Sequence, residues 1–270
     1  MTRYKLRRLP GYIFLAVAAI LSVFPLYFMV VSATNTSQDV LSSRLLPGSA
    51  LFDNMAKLFE QQDVGSALYY SSIQAVGTTV LALIVCAIAG YGFEVFHSKG
   101  KDRLMAFLLL AMMIPFAATM IPLFQMFASF GMINSPVALI LPAISTPFLV
   151  LLFRQSARSF PHEIIEAARI DGLKEVAIFF RIFLPTMKST LAAAAVITFM
   201  AAWNSFLWPK VILVKNTYQT MPMLISNLRA GYVTDYGVLM LAVLIASLPT
   251  MVIFLVLQRQ FAEGMTGAIK

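Results

Sequence analysis

The sequence predicts an all-α integral membrane protein with six transmembrane helices, and three observations predict it. The 270 residues are 60% hydrophobic and only 12% charged, with mean hydropathy +0.82. A soluble domain carries about a quarter charged residues, so this chain cannot cover a water-facing surface. The apolar residues fall into six runs near the length that crosses a bilayer, roughly 20 residues each. Lys and Arg collect on alternate connections between those runs. Soluble enzymes, nucleic-acid-binding modules and disordered chains are excluded. The net charge of +8 reads as basic cytoplasmic loops, not as a nucleic-acid footprint.

Residues 11–32 form the first span, with Pro25 as a kink point. A basic stretch, Arg3 to Arg8, precedes it as in a signal peptide, but the apolar core exceeds the roughly 7–15 residues of such signals. Residues 67–93 form the second and carry Gln74, Thr78 and Thr79. No charge occurs between Arg103 and Arg154, too long a stretch for one span. It breaks at Gly131–Pro136, a helix stop and turn, into spans at 104–130 and 137–153. The fifth span is 190–208 and the sixth 237–257. In the external segment 33–66, Phe52, Met55, Leu58 and Phe59 recur at helical spacing, which predicts a surface amphipathic helix. The lone cysteine, Cys86, excludes an internal disulfide framework or multi-Cys metal site and reads as a packed thiol.

With the N-terminus inside, fifteen Lys and Arg lie on the cytoplasmic side, in 3–8, 99–103, 154–188 and the C-terminal end. Five lie outside: Arg44, Lys57, Lys210, Lys215 and Arg229. The positive-inside rule then puts both termini in the cytoplasm.

The central parts of the spans hold no Asp, Glu, Lys, Arg or His, where an intramembrane charge would mark a proton or ion path. Glu94 and His97 sit at a cytoplasmic end and read as solvated or snorkelling. No nucleotide-binding, zinc-protease or nucleophile-elbow motif occurs. Pro115, Pro122, Pro142, Pro147 and Pro249 are expected to interrupt helices, and Gly90 and Gly92, with Ala87 and Ala89, to allow close helix approach. The block Ala201–Pro209 sets Trp203 and Trp208 beside Ser205 and Asn204. Aromatic faces beside neutral hydrogen-bonding groups suit an uncharged polyol, so Trp203, Asn204 and Trp208 are candidate pathway residues. The same residues also fit an interfacial aromatic belt.

The connection 154–189 carries the most information. Pro161 with Glu163 suits a helix start, and Gly172 suits a left-handed stop. Between them Glu166 stands beside Ala167 and Ala168. Small residues let a short helix sit in a partner's groove, with a single carboxylate fixing its register. A helix lying on the lipid surface fits equally. A second amphipathic piece carries Val176, Phe179, Phe180 and Phe183, and Pro185 is expected to end it.

At these residues the sequence resembles the permease subunits of bacterial ABC importers. Glu166-Ala167-Ala168, Gly172 and Leu184-Pro185 look like their "EAA" loop. The fuller Pro161-x-Glu163-x-x-Glu166-Ala167-Ala168-x-Ile170-Asp171-Gly172 is similar to the carbohydrate-uptake branch. Trp203-Asn204-x-Phe206-x-Trp208-Pro209 and the tail Gln258-Arg259-x-Phe261-x-x-Gly264-Met265-Thr266-Gly267-Ala268-x-Lys270 agree with the maltose-permease G-type subunit. One departure is Tyr70-Ser71, where many relatives have Asn-Ser.

The resemblance implies a type I importer permease fold, with a first helix and external segment (1–66), a permease core (67–258) and a cytoplasmic tail (259–270). It implies a bacterial inner membrane, a second homologous permease, two ATPase subunits and an external solute-binding protein that delivers sugar. The loop helix would be the coupling helix, with Pro161, Glu163, Glu166, Ala167, Ala168, Asp171 and Gly172 at the ATPase. Gly264, Thr266, Gly267 and Lys270 would touch the ATPases in the tail. ATP and magnesium would be bound by those partners and not by this chain. A glycerol 3-phosphate or polyol cargo is the alternative within the same architecture, and a secondary transporter the alternative outside it.

Overall fold

The computed structural model describes residues 2–215, 217–231 and 233–267, with side chains described for 11–215, 217–231 and 233–259. Among them there are helices and connections but no strand. In chain order the helices are α1 (Thr2–Ala33), α2 (Ser37–Leu41), α3 (Leu51–Gln61), α4 (Val64–Val95), α5 (Lys99–Ala111), α6 (Phe116–Ser129), α7 (Pro136–Ile140) and α8 (Pro147–Arg158). There follow α9 (His162–Ile170), α10 (Glu175–Ile178), α11 (Leu184–Thr186), α12 (Lys188–Trp203), α13 (Leu207–Ile212), α14 (Met221–Arg229) and α15 (Tyr236–Gly267).

Three helical segments are continuous and long and apolar enough to cross a membrane: Gly11–Ala33, Val64–Val95 and Tyr236–Arg259. Three more candidate spans are bent pairs: α5 with α6 at 99°, Pro136–Ala143 with α8 at 51°, and Glu175–Thr186 with α12 at 82°. Six spans result if each pair counts as one. Three expected spans therefore need correction, the run 137–153 among them, which bends by 51° between Ala143 and Pro147. The run 104–130 breaks after Ala111, because Pro115 takes an extended conformation (φ −65°, ψ 135°) and disfavours helix in the residue before it. The run 190–208 stops at Trp203, since the Pro209 ring would strike the Ser205 carbonyl of an unbroken helix. Pro209 instead sits in the first turn of α13, where no N–H is needed. Pro122 and Pro249 lie inside helices and do not end them.

The chain divides into two compact units. In the first, formed by residues up to Val64 with Leu224–Leu248, buried asparagines satisfy the backbone after α1. The Asn54 amide donates to Ala33 O and Asn35 O at 3.0 and 2.9 Å, and the Asn35 amide to Leu46 O at 3.0 Å. Helix α3 is amphipathic as expected, but Asn54 and Leu58 form its buried side, while Phe52 and Phe59 are exposed.

The second unit, Gly65–Met223 with the chain from Pro249 onward, is built on the α4–α8 contact. A Cβ on Gly90 would lie 2.6 Å from Phe153 Cβ and 2.7 Å from Arg154 N, whereas one on Gly92 would meet nothing within 4 Å. Of these two, Gly90 is the close-approach glycine. Cys86 is fully buried in the same core, with Phe153, Phe183 and Ile178. Beside it Arg154 donates to Glu94 Oε2 at 3.1 Å and to Asp102, which also faces His97 Nε2 at 2.9 Å. Glu94 is thus not a solvated side chain; it is 12% exposed and its carboxylate is paired. At the predicted stop, Gly131 and Asn134 take positive φ, and the Asn134 side-chain Oδ1 accepts the N–H groups of Val214 and Lys215. Tyr70, at the unusual Tyr-Ser pair, packs on Tyr218, and Ser71 Oγ accepts the Met221 N–H at 2.8 Å.

Candidate functional site

Local signals build α9. Pro161 is extended just ahead of it (φ −62°, ψ 115°), Glu163 occupies the first turn and Asp171 the C-terminal cap. The helix closes in a Schellman motif: the Leu173 N–H donates to Ala168 O and the Gly172 N–H to Arg169 O, both at 3.0 Å. Gly172 takes φ +81°, the left-handed conformation its position predicts. Ile165 and Ala168 are buried and anchor the helix among Ile178, Phe179 and Phe183. Pro161, Glu163, Glu166, Ala167, Asp171 and Gly172 face outward, joined by Ile164 and by Ile170, which is 86% exposed. Ala167 and Ala168 therefore do not share a face. Adjacent residues lie roughly 100° apart on a helix, and Ala168 points into the protein's own core.

Past Gly172 a second set of contacts holds α9 in place. Glu175 accepts the Arg169 Nε–H at 2.6 Å and the Tyr91 hydroxyl at 3.2 Å. The Arg169 guanidinium also lies 5.8 Å from the Phe96 ring centre, and its hydrogen bond to Glu175 raises its pKa. Tyr91 packs on Phe179 and Phe183 at 5.3 and 4.7 Å between ring centres. The sequence offers no sign that Glu175 also meets Tyr91, which is 84 residues away. Pro185 does not end the second piece. The backbone widens into a π turn at Phe179–Phe183 and continues as α11 before stopping at Met187. Pro185 has no N–H for the Arg181 carbonyl and crowds it, and a π turn relieves that conflict.

A cavity of about 490 Å³ opens elsewhere in the same unit. Its wall takes Gln74 and Thr78 from α4, Phe116 from α6, Thr198 from α12, and Ser205 and Trp208 from the broken segment. Gln74, Thr78, Thr198 and Trp208 are buried, and the Thr78 and Thr198 hydroxyls have no hydrogen-bond partner. Trp208 is fixed by its Nε1–H, which donates to Ala138 O at 2.8 Å, and by an edge-on Phe116 at 6.2 Å. Of the three candidate pathway residues only Trp208 lines this cavity. Trp203 is buried against Phe199 in a stack at 5.8 Å, and Asn204 turns its amide back to Met200 O at 2.8 Å, capping α12. Thr78, Thr198 and Phe116 were not singled out for this role from sequence. In the tail, Gly264, Thr266 and Gly267 lie on the backbone of α15 with side chains outside the described residues, and Lys270 lies outside them altogether. Among the described residues no group of three acidic, His or Cys side chains could hold a metal.

The chain belongs to the family of binding-protein-dependent transport system inner membrane components, which matches residues 82–267. It is 44% identical over 267 residues to the lactose transport system permease protein LacG of Rhizobium radiobacter, covering 98% of each chain. It is 32% identical to the arabinooligosaccharides transport system permease protein AraQ of Bacillus subtilis strain 168, covering 99% of this chain and 98% of that one. It is 30% identical to the sn-glycerol-3-phosphate transport system permease protein UgpE of Pectobacterium atrosepticum, covering 96% of each. In fold it matches a chain from the crystal structure of a bacterial ABC transporter involved in the import of the acidic polysaccharide alginate. The TM-score is 0.82 at 18% identity, covering 97% of this chain and 98% of that one. The fold is that of an ABC importer permease.

Proposed function

We propose that this chain is one of two permease subunits of an ATP-driven importer of carbohydrate, supplied by an external solute-binding protein. The observation that carries the reading is α9: a short helix anchored through Ile165 and Ala168, offering Glu163, Glu166 and two exposed isoleucines to a partner. In this reading a groove of one ATPase subunit receives that face, and Glu166 meets a basic residue there. The tail with Gly264, Thr266, Gly267 and Lys270 reaches between the two ATPases. ATP and magnesium bind those subunits, and this chain supplies the path. In this reading both termini lie in the cytoplasm of a bacterium, and the basic connections support that orientation. Support for sugar as cargo comes from the lactose and arabinooligosaccharide permeases, which match more closely than the glycerol-phosphate permease.

The test is reconstitution of this chain with the second permease, the ATPases and the binding protein in proteoliposomes. Labelled lactose, or failing that arabino-oligosaccharide, is expected to accumulate only with ATP and binding protein both present. The purified chain alone is expected to hydrolyse no ATP. Uptake that runs without ATPase subunits and collapses with an uncoupler overturns the reading.

A further inference from the structure

We propose that the cavity beside Trp208 is a cargo subsite on this subunit and holds one uncharged sugar ring. The inference rests on the carbohydrate reading above and adds where, and by what chemistry, this chain touches the cargo. About 490 Å³ lies within the roughly 300–1,000 Å³ typical of small-molecule sites, which combine apolar walls with a few placed polar groups. Gln74 and Thr78 stand one helical turn apart on the same face of α4, and Thr198 comes from α12. A buried hydroxyl without a partner is costly, and here two such groups line one space. Hydroxyls and an amide each donate and accept, which suits a polyol. Phe116 and Trp208 supply apolar ring surface. Every lining residue is uncharged, so a phosphate or carboxylate would enter without the cation that its burial requires.

The test is the complete transporter carrying Thr78→Val and Thr198→Val together, with a labelled neutral sugar that the wild type imports. Valine keeps the shape and removes only the unpartnered oxygens. If the hydroxyls serve the cargo, the complex is recovered in wild-type amount and melts at the same temperature or higher. Uptake falls at least about tenfold, and Thr78→Ser with Thr198→Ser restores much of it. Wild-type uptake by the valine pair overturns the proposal. So does a lower melting temperature or poor recovery, which would show the hydroxyls bonding the second permease or the chain itself. A wild-type complex that imports an anionic cargo and no neutral sugar removes the carbohydrate reading and this one together.

Discussion

Gly172 shows at the scale of one residue how backbone chemistry can aim a helix. Its φ of +81° is open to glycine, and other residues pay about 1–2 kcal/mol to adopt it. A Cβ there would meet nothing within 4 Å, so any effect of substitution is conformational and not a clash. Gly172→Val is therefore expected to cost about 1–2 kcal/mol and to re-aim α9, while Gly172→Asn, which tolerates this region, costs less. Recovery of ATPase subunits on affinity-purified permease should fall in the order wild type, Asn, Val. Equal recovery across the three would remove Gly172 from the account. This residue was legible in sequence because the signal is local, a glycine just past an apolar-periodic helix. Thr78 was not. Its neighbour Thr79 satisfies itself on Ala75 O at 2.6 Å, and two adjacent threonines in an apolar run give no clue to which one lacks a partner.

At the scale of elements the two glycines at the end of α4 make opposite predictions. Gly90→Ala drives a methyl against Phe153 and the backbone of Arg154 at 2.6–2.8 Å, and overpacking of this kind costs typically about 1–3 kcal/mol. The change would also part α4 from α8 and disturb the Arg154–Glu94 pair. Gly92→Ala meets nothing and gains helix propensity, up to about 1 kcal/mol. Thermal unfolding of the detergent-solubilised complex should show a lower midpoint for Gly90→Ala and an unchanged or higher one for Gly92→Ala; the reverse order would refute the packing argument. Sequence reading treated the two alike, since spacing alone does not say which helix face meets a neighbour. It erred over bent helices for a related reason. Pro115 ends a helix and Pro122 is accommodated in one, and an apolar run carries no polar period to tell the two apart.

At the scale of the whole molecule the charge asymmetry predicts orientation. Ser98 and Ser159, flanking α5 and α8, are exposed, and Cys86 is buried. In a Cys86→Ala background, cysteine at either position should resist an impermeant thiol reagent on intact cells and react after permeabilisation. Labelling from outside would invert the topology. The spans and the loop were legible because hydropathy and charge are properties of whole segments. The Glu175 anchor of α9 and the cavity were not, because each forms from residues that only the fold brings together.

The central claim, that α9 couples this chain to an ATPase, is tested most directly at Glu166. The side chain is exposed, so on a free surface its removal should cost under about 1 kcal/mol. In a partner's groove, opposite a basic group, loss of one member of the pair costs about 2–5 kcal/mol. The measurement is binding-protein-stimulated ATP hydrolysis by reconstituted Glu166→Ala transporter, alongside ATPase recovery on the purified permease pair. The account predicts normal membrane insertion and permease pairing, with ATPase recovery or stimulated hydrolysis reduced at least about tenfold. Wild-type recovery and wild-type stimulation would contradict it.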